Sequence, residues 1–232
     1  MIDAILPAEV TAVEAFGDVP GGTLFPAEEA AIARAVDKRR REFSTGRACA
    51  HAALVKLGLP PAPILRGPHG APVWPDGVVG SITHCDGYRA AAVARAEDVL
   101  TVGLDAEPDR ALPDGVLDRI SVAEERAWLR ETGARLRETG ARPPGVSWDR
   151  LLFSAKESVY KAWFPLVGRW LGFEEAVITI DPSAGVFTAR LLVPGPVIGS
   201  QPLTGFSGRW AAGHGLVVTA IAVPAGPDLA RF

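Results

Sequence analysis

The sequence predicts an α+β fold with helices and strands in both halves of the chain. Apolar residues recur at helical spacing from Pro26 to about Gly58 and again from Trp148 to Phe164. Alternating runs rich in Val, Ile, Thr and Ala lie between and after them, bounded by Gly and Pro. No repeat of solenoid length is present. At 232 residues, 48% hydrophobic and 22% charged, the chain suits one large core or two small domains that share one.

The first segment, "MIDAILPAEVTAVEAFGDVP", has no basic region and no uninterrupted apolar stretch, so a secretory signal is not expected. "PAEEAAIARAV" opens with a proline and two glutamates, which suit a helix N-terminus. "EFSTGRACAHAALVKLGL" continues the helical pattern until Gly58 and Pro60–Pro61. A turn-rich run follows, then three strand candidates: "GVVGSITHC", "YRAAAVARA" and "VLTVGLDAEP". After Pro113 the pattern is helical through "VLDRISVAEERAWLRETG". There "LRETGAR" occurs twice, at Leu129–Arg135 and Leu136–Arg142, which reads as a surface insertion. Helical heptads are the competing reading, weakened by a glycine in each copy. "WDRLLFSAKESVYKAWF" is a helix whose pattern Pro165 should end. "AVITIDP", "GVFTARLLV" and "RWAAGHGLVVTAIAV" complete the chain as antiparallel strands.

Composition excludes several classes of function. No apolar run reaches the ~18–20 residues of a membrane-spanning helix. A net charge of −3 gives no global basic field for nucleic acid, although "DKRRREF" gathers Lys38, Arg39, Arg40 and Arg41. Cys49 and Cys85 form no C-x-x-C and no zinc pattern, which points to reduced thiols in a cytoplasmic protein.

Two stretches carry chemistry. In "VLTVGLDAEP", Thr101, Gly103, Asp105 and Glu107 share one strand face, and Leu100, Val102, Leu104 and Ala106 the other. Carboxylates two residues apart stand about 6–7 Å apart at the backbone and need a compensating positive group. An oxygen-seeking divalent ion such as Mg²⁺ supplies one and leaves room for phosphate oxygens. Gly103 would let something bulky approach that face. An exposed strand end with solvated acids is the competing reading. In "FSAKESVYKAWF", Ser154 and Glu157 have capping-box spacing, and Glu157–Lys161 is a favourable i,i+4 pair worth about 0.2–0.5 kcal/mol. Local physics thus accounts for these charges. Yet Phe153, Glu157, Lys161 and Phe164 lie along or beside one stripe, which suits a cleft wall as well as a solvated face.

Together these residues resemble the paired signature of the 4′-phosphopantetheinyl transferases: G-x-D-x-E, then F/W-[ST]-x-K-E-[SA]-x-x-K about fifty residues later. The resemblance is to the large monomeric class, with actinobacterial and enterobactin-type members, that activates polyketide and non-ribosomal peptide synthases. "GVVGSITHCDGYRAAAVAR" is similar to its Ser/Thr–His element and "KRRREFSTGRACA" to its arginine-bearing helix. The similarity runs from about residue 25 to the C-terminus.

The resemblance implies two similar α/β halves, 1–98 and 99–232, related by a pseudo-twofold axis with coenzyme A (CoA) in the cleft between them. It implies transfer of the 4′-phosphopantetheine arm to a serine of apo acyl or peptidyl carrier proteins, releasing adenosine 3′,5′-bisphosphate. By position, Asp105, Glu107 and Glu157 match the metal acids, for Mg²⁺ or Mn²⁺. Arg39, Arg47, Arg66, Thr83, His84 and Lys156 match CoA-binding positions. Glu157 and Lys161 match the catalytic pair, as general base and as stabiliser of phosphoryl charge. Arginines suit phosphate because they donate two parallel hydrogen bonds. Where some members carry G-K-P this chain has Gly70-Ala71-Pro72, Phe153 replaces a frequent tryptophan, and Ala106 offers no ligand between the acids. Arg119, Arg126 and Arg130 are the expected carrier contacts. His51, His69 and His214 read as structural. A non-catalytic CoA- or nucleotide-binding module would share the arginines without needing the three acids; a metal-dependent phosphohydrolase would turn over CoA without a carrier.

Overall fold

The computed structural model describes residues 1–19, 23–139 and 146–226, with only the backbone of 133–139. The N-terminal part contains β1 (Thr11–Phe16), α1 (Pro26–Ala31), α2 (Asp37–Lys56), the short β2 (Leu65–Arg66) and β3 (Pro72–Val73), β4 (Val78–Cys85) and β5 (Tyr88–Arg95). The C-terminal part contains β6 (Val99–Pro108), α3 (Val116–Ile120), α4 (Ala123–Thr139), α5 (Trp148–Val167), β7 (Ala176–Asp181) and β8 (Val186–Leu191). It continues with β9 (Val197–Ile198), β10 (Gln201–Pro202), β11 (Gly205–Gly213) and β12 (Leu216–Pro224). Helices and strands are mixed, as an α+β fold requires.

The main sheets are antiparallel. One has the order β1-β5-β4, the other β6-β12-β11-β8-β7. Each carries one 20-residue helix, α2 on the first and α5 on the second. Period-two alternation on β5 explains how the layers stack: Ala91 and Val93 face α2, while Ala90, Ala92 and Ala94 face the second sheet. Those alanines meet Leu104, Val218 and Ala220, so small side chains let the sheets approach closely. The sheets are also joined through hydroxyls. Ser81 Oγ accepts the Leu104 N–H at 3.1 Å and Thr83 Oγ1 accepts the Ala106 N–H at 3.1 Å.

Several sequence expectations need correction. The first helical segment breaks after α1, and Arg40 Nη1 donates to the freed Ile32 carbonyl at 2.9 Å. The helix after Pro113 also breaks, and Glu125 Oε2 accepts the Val122 N–H at 2.9 Å to restart it as α4. α4 runs through the first "LRETGAR" to Thr139; the end of the second copy lies outside the described residues. β1 was not expected. It forms because its backbone pairs with β5 from Thr11↔Val93 to Phe16↔Tyr88. α5 starts after Ser147, so Ser154 is not a cap: its Oγ lies 2.9 Å from Thr219 Oγ1 and pins the helix to β12. Pro165 falls in the last turn without ending the helix, which stops at Gly168 in the left-handed conformation with φ 66°.

Candidate active site

The C-terminal edge of the site is built where α5 crosses β6. Period two gives β6 the two faces expected, and the face bearing Asp105 meets α5. Gly103 makes this crossing possible, since a Cβ there would stand 2.0 Å from the Ser158 carbonyl oxygen. The bulky neighbour of Gly103 is therefore α5 itself. Thr101 Oγ1 donates to the Ala162 carbonyl at 2.9 Å and holds the same crossing.

That contact brings α5 side chains over the strand. Lys161 Nζ donates to Asp105 Oδ1 at 2.7 Å and to the Leu104 carbonyl at 2.9 Å. Thr83 Oγ1 donates to Asp105 Oδ1 at 3.4 Å. Asp105, Glu107, Glu157, Lys161, Thr83 and His84 line one cavity of about 320 Å³, with Phe153 on its wall. Burial raises the Glu157 carboxyl above its ordinary range, with the negative charge of Asp105 adding to it and Lys161 opposing. Burial and Asp105 push Glu107 up to about 6, although Arg150 Nη1 donates to its Oε2 at 3.0 Å.

These residues fit a divalent cation. The donor set is all oxygen, two of the carboxyls are held up by burial and a like charge, and Asp105 Oδ2 is buried without a hydrogen-bond partner. Among the described residues, no three carboxylate, imidazole or thiol groups are already gathered at ligating distance. Lys161 occupies Asp105 and Arg150 occupies Glu107, so cationic side chains provide charge balance there.

The N-terminal edge is basic. Arg39, Arg47, Arg66 and His84 line a second cavity of about 100 Å³, together with Glu42, whose Oε2 lies 3.7 Å from Arg39 Nη1 and 4.0 Å from His84 Nδ1. Two turns of α2 separate Arg39 from Arg47, and Gly70 leaves space for the Arg66 guanidinium, which would lie 3.1 Å from a Cβ there. Of the four consecutive basic residues only Arg39 faces this cavity: Arg40 caps α1, Arg41 Nε bonds Asp18 Oδ2 at 3.0 Å, and the Lys38 side chain is 72% exposed. Burial and neighbouring Arg39 lower the His84 pKa. His84 is therefore neutral at pH 7, with Nε2 accepting from Arg39 Nη1 at 2.9 Å. A third cavity, about 470 Å³ and walled by Trp74, Tyr160, Phe164 and Pro165, adjoins both; Ile82 lines all three.

Lys156 is placed apart from these cations. Its ammonium is sealed inside the C-terminal half, donating to Glu125 Oε2 at 2.9 Å and to the Phe173 and Ala176 carbonyls at 2.6 and 2.9 Å. An ammonium has three N–H donors, and all three are spent in the fold. Arg119 and Arg130 are exposed, while Arg126 is half-buried and bonds the Ser121 carbonyl. Sequence reasoning missed Arg150 and Glu28. Arg150 binds Glu107 and the carbonyls of Arg110 and Ala111, and Glu28 is fully buried next to Arg47. Arg150 lies on the helix of the recognised motif, but its partner is 43 residues away, beyond any local spacing rule.

Comparison with known proteins shows the family. The profile of the 4′-phosphopantetheinyl transferase N-terminal domain matches residues 27–94, and that of the 4′-phosphopantetheinyl transferase superfamily matches 101–212. The chain belongs to this superfamily and is an enzyme of the 4′-phosphopantetheinyl transferase class. It is 60% identical to 4′-phosphopantetheinyl transferase Svp of Streptomyces mobaraensis, over 97% of this chain and 90% of the relative. It is 50% identical to 4′-phosphopantetheinyl transferase PptT of Mycobacterium tuberculosis, over 95% and 97% of the two chains. The similarity to 4′-phosphopantetheinyl transferase Npt of Nocardia iowensis is also 50%, over 96% and 99%. Enzymes of this superfamily use CoA as substrate and act on carrier proteins. Among the described residues no helix is long and apolar enough to cross a membrane.

Proposed function

We propose that this enzyme transfers the 4′-phosphopantetheine arm of CoA to a serine of acyl and peptidyl carrier proteins of polyketide and non-ribosomal peptide synthases. The reaction depends on a divalent cation, Mg²⁺ or Mn²⁺, and releases adenosine 3′,5′-bisphosphate. One observation carries the reading: a cavity lined by three arginines and one glutamate adjoins a cavity lined by three carboxylates and a lysine. That order of charges matches a ligand with phosphates at one end and a reacting diphosphate at the other. The halves 1–98 and 99–232, each with a long helix across an antiparallel sheet, are related by a pseudo-twofold axis with CoA between them. The enzyme acts as a cytoplasmic monomer and uses neither nucleic acid nor membrane.

Arg39, Arg47 and Arg66 bind the CoA phosphates, with the neutral His84 and Thr83 beside them. The pantetheine arm runs along the apolar walls that flank Glu157. Mg²⁺ held by Asp105, Glu107 and Glu157 would neutralise diphosphate charge. Lys161 spends two of its three donors on Asp105 and Leu104, leaving one for the transferred phosphoryl group. Glu157, held above its ordinary range, takes the proton of the carrier serine. The serine oxygen attacks the β-phosphorus, the bond from that phosphorus to the bridging diphosphate oxygen breaks, and the bisphosphate leaves. Positioning and charge stabilisation suffice for such a transfer, so no covalent enzyme intermediate is required. Arg119, Arg126 and Arg130 contact the acidic carrier.

The test is mass spectrometry of a panel of apo carriers incubated with enzyme, CoA and Mg²⁺. A gain of one phosphopantetheine that chelator abolishes is expected. No gain on any carrier overturns the reading, and CoA turnover without a carrier would replace it with hydrolysis.

A further inference from the structure

A single buried carboxylate lies behind the basic cavity. Glu28, near the start of α1, is 0% exposed. Its Oε2 accepts the Phe25 N–H at 2.9 Å, which caps α1. Its Oε1 accepts the Ile64 N–H at 2.8 Å, lies 3.0 Å from His51 Nε2, and faces Arg47 Nε at 3.8 Å. Arg47 Nε in turn donates to the Ile64 carbonyl at 2.7 Å, and its guanidinium lies 4.3 Å over the Phe43 ring. The Ile64 residue is thus held at both its N–H and its C=O, directly before Leu65 and Arg66. Through these bonds Glu28 ties together α1, α2 and the segment that carries Arg66.

A carboxylate buried this deeply costs stability unless a cation or several donors compensate it. A simple helix cap needs only the Phe25 N–H, which a neutral glutamine would serve equally. The remaining bonds lead instead to cationic and cavity-lining groups. Arg39 and Arg66 both repel the Arg47 charge, and burial brings Arg47 down to about 10 while Glu28 opposes the fall. Among the described residues, the two terminal nitrogens of Arg47 make no hydrogen bond, so its outward donors remain open to the cavity.

We propose that Glu28 is a positioning residue for phosphate recognition: it orients Arg47, fixes the Ile64–Arg66 segment, and places a buried negative charge beside Arg47, as Glu42 places a negative charge beside Arg39, so that three arginines share one small cavity. This inference rests on reading the basic cavity as the CoA phosphate site. His51 belongs to the same device, because it shares the carboxylate oxygen nearest Arg47.

The experiment is calorimetric titration of the full-length protein with CoA, in a double-mutant cycle. Glu28→Gln should weaken CoA binding about tenfold, an effect of the size a lost charged contact gives, and should raise the CoA KM while leaving kcat within about twofold. In an Arg47→Ala background the same substitution should change affinity by less than about twofold, because the group it positions is gone. Should Glu28→Gln not fold, His51→Ala provides the second arm. It leaves the carboxylate to draw the guanidinium inward, so binding should weaken several-fold with Arg47 present and not without it. Unchanged affinity in the single variants, an equal loss in both backgrounds, or an Arg47→Ala protein that binds like wild type would overturn the inference. Failure of the wild-type protein to bind CoA would instead overturn the reading on which it rests.

Discussion

α2 and α5 have the same length and the same task of covering an antiparallel sheet, yet they line their cavities with different charges: two arginines and Glu42 from α2, a glutamate and a lysine from α5. α2 presents Arg39 and Arg47, which are held by residues far away in sequence: Glu28, Ile64 and His84. α5 presents Glu157 and Lys161, and the bonds of Lys161 both go to β6, the strand it crosses. In the proposed function the N-terminal half would thus recognise phosphate through a spread-out support, whereas the C-terminal half would concentrate its chemistry at one crossing. Binding and chemistry should accordingly separate under mutation.

The largest expected effect tests that separation. Glu157→Gln should slow carrier modification about 10²–10⁴-fold while calorimetry shows CoA affinity retained. A matching loss of affinity would erase the distinction between the halves. Lys156→Ala, one residue earlier on α5, should behave in the opposite way. Removing the cation leaves Glu125 buried and uncompensated, at a cost of about 3–5 kcal/mol in urea unfolding, with the CoA KM of the folded fraction unchanged. A raised KM would return Lys156 to the binding group. Gly103→Ala should cost about 1–3 kcal/mol, because the new Cβ meets backbone rather than a movable side chain. Loss of activity without loss of stability would mean that the glycine makes room for ligand after all.

The smallest effect concerns pH. In the folded protein burial holds the His84 pKa below its ordinary value of 6.5, so the unfolded chain binds more protons in the window beneath that value. The stabilisation from neutral His84 is present above about 6.5 and is lost as pH falls through that window toward the folded pKa. His84→Gln should flatten this part of the stability–pH curve, measured by thermal melts; an unchanged slope would show that Arg39 does not require a neutral partner.

Motifs made of neighbouring residues were legible, and contacts between distant ones were not. β6 is legible from Val99 to Pro108, with its two faces, because strict alternation leaves a clear trace in sequence. The helical period of α5 is plain in its sequence, but the capping-box spacing of Ser154 misleads because its real partner, Thr219, is 65 residues away. Lys156 shows the same limit: nothing in "SAKES" indicates that Glu125 and two carbonyls will take its donors. Glu28 looked like an ordinary acid in the first turn of a helix, and only the tertiary fold brings His51, Ile64 and Arg47 around it. β1 escaped notice because its pairing with β5, rather than its own pattern, defines it.

The seam between the sheets is made with side-chain oxygens instead of a peptide ladder. Ser81 and Thr83 act as two buttons on the free edge of β6, and the second also touches the carboxylate of Asp105. Exchanging a hydroxyl for a methyl there would undo one of these fastenings while leaving both sheets and their apolar contact in place. Two atoms that belong to neither strand's backbone thus fix the register of β4 on β6, beside the apolar contact between the sheets.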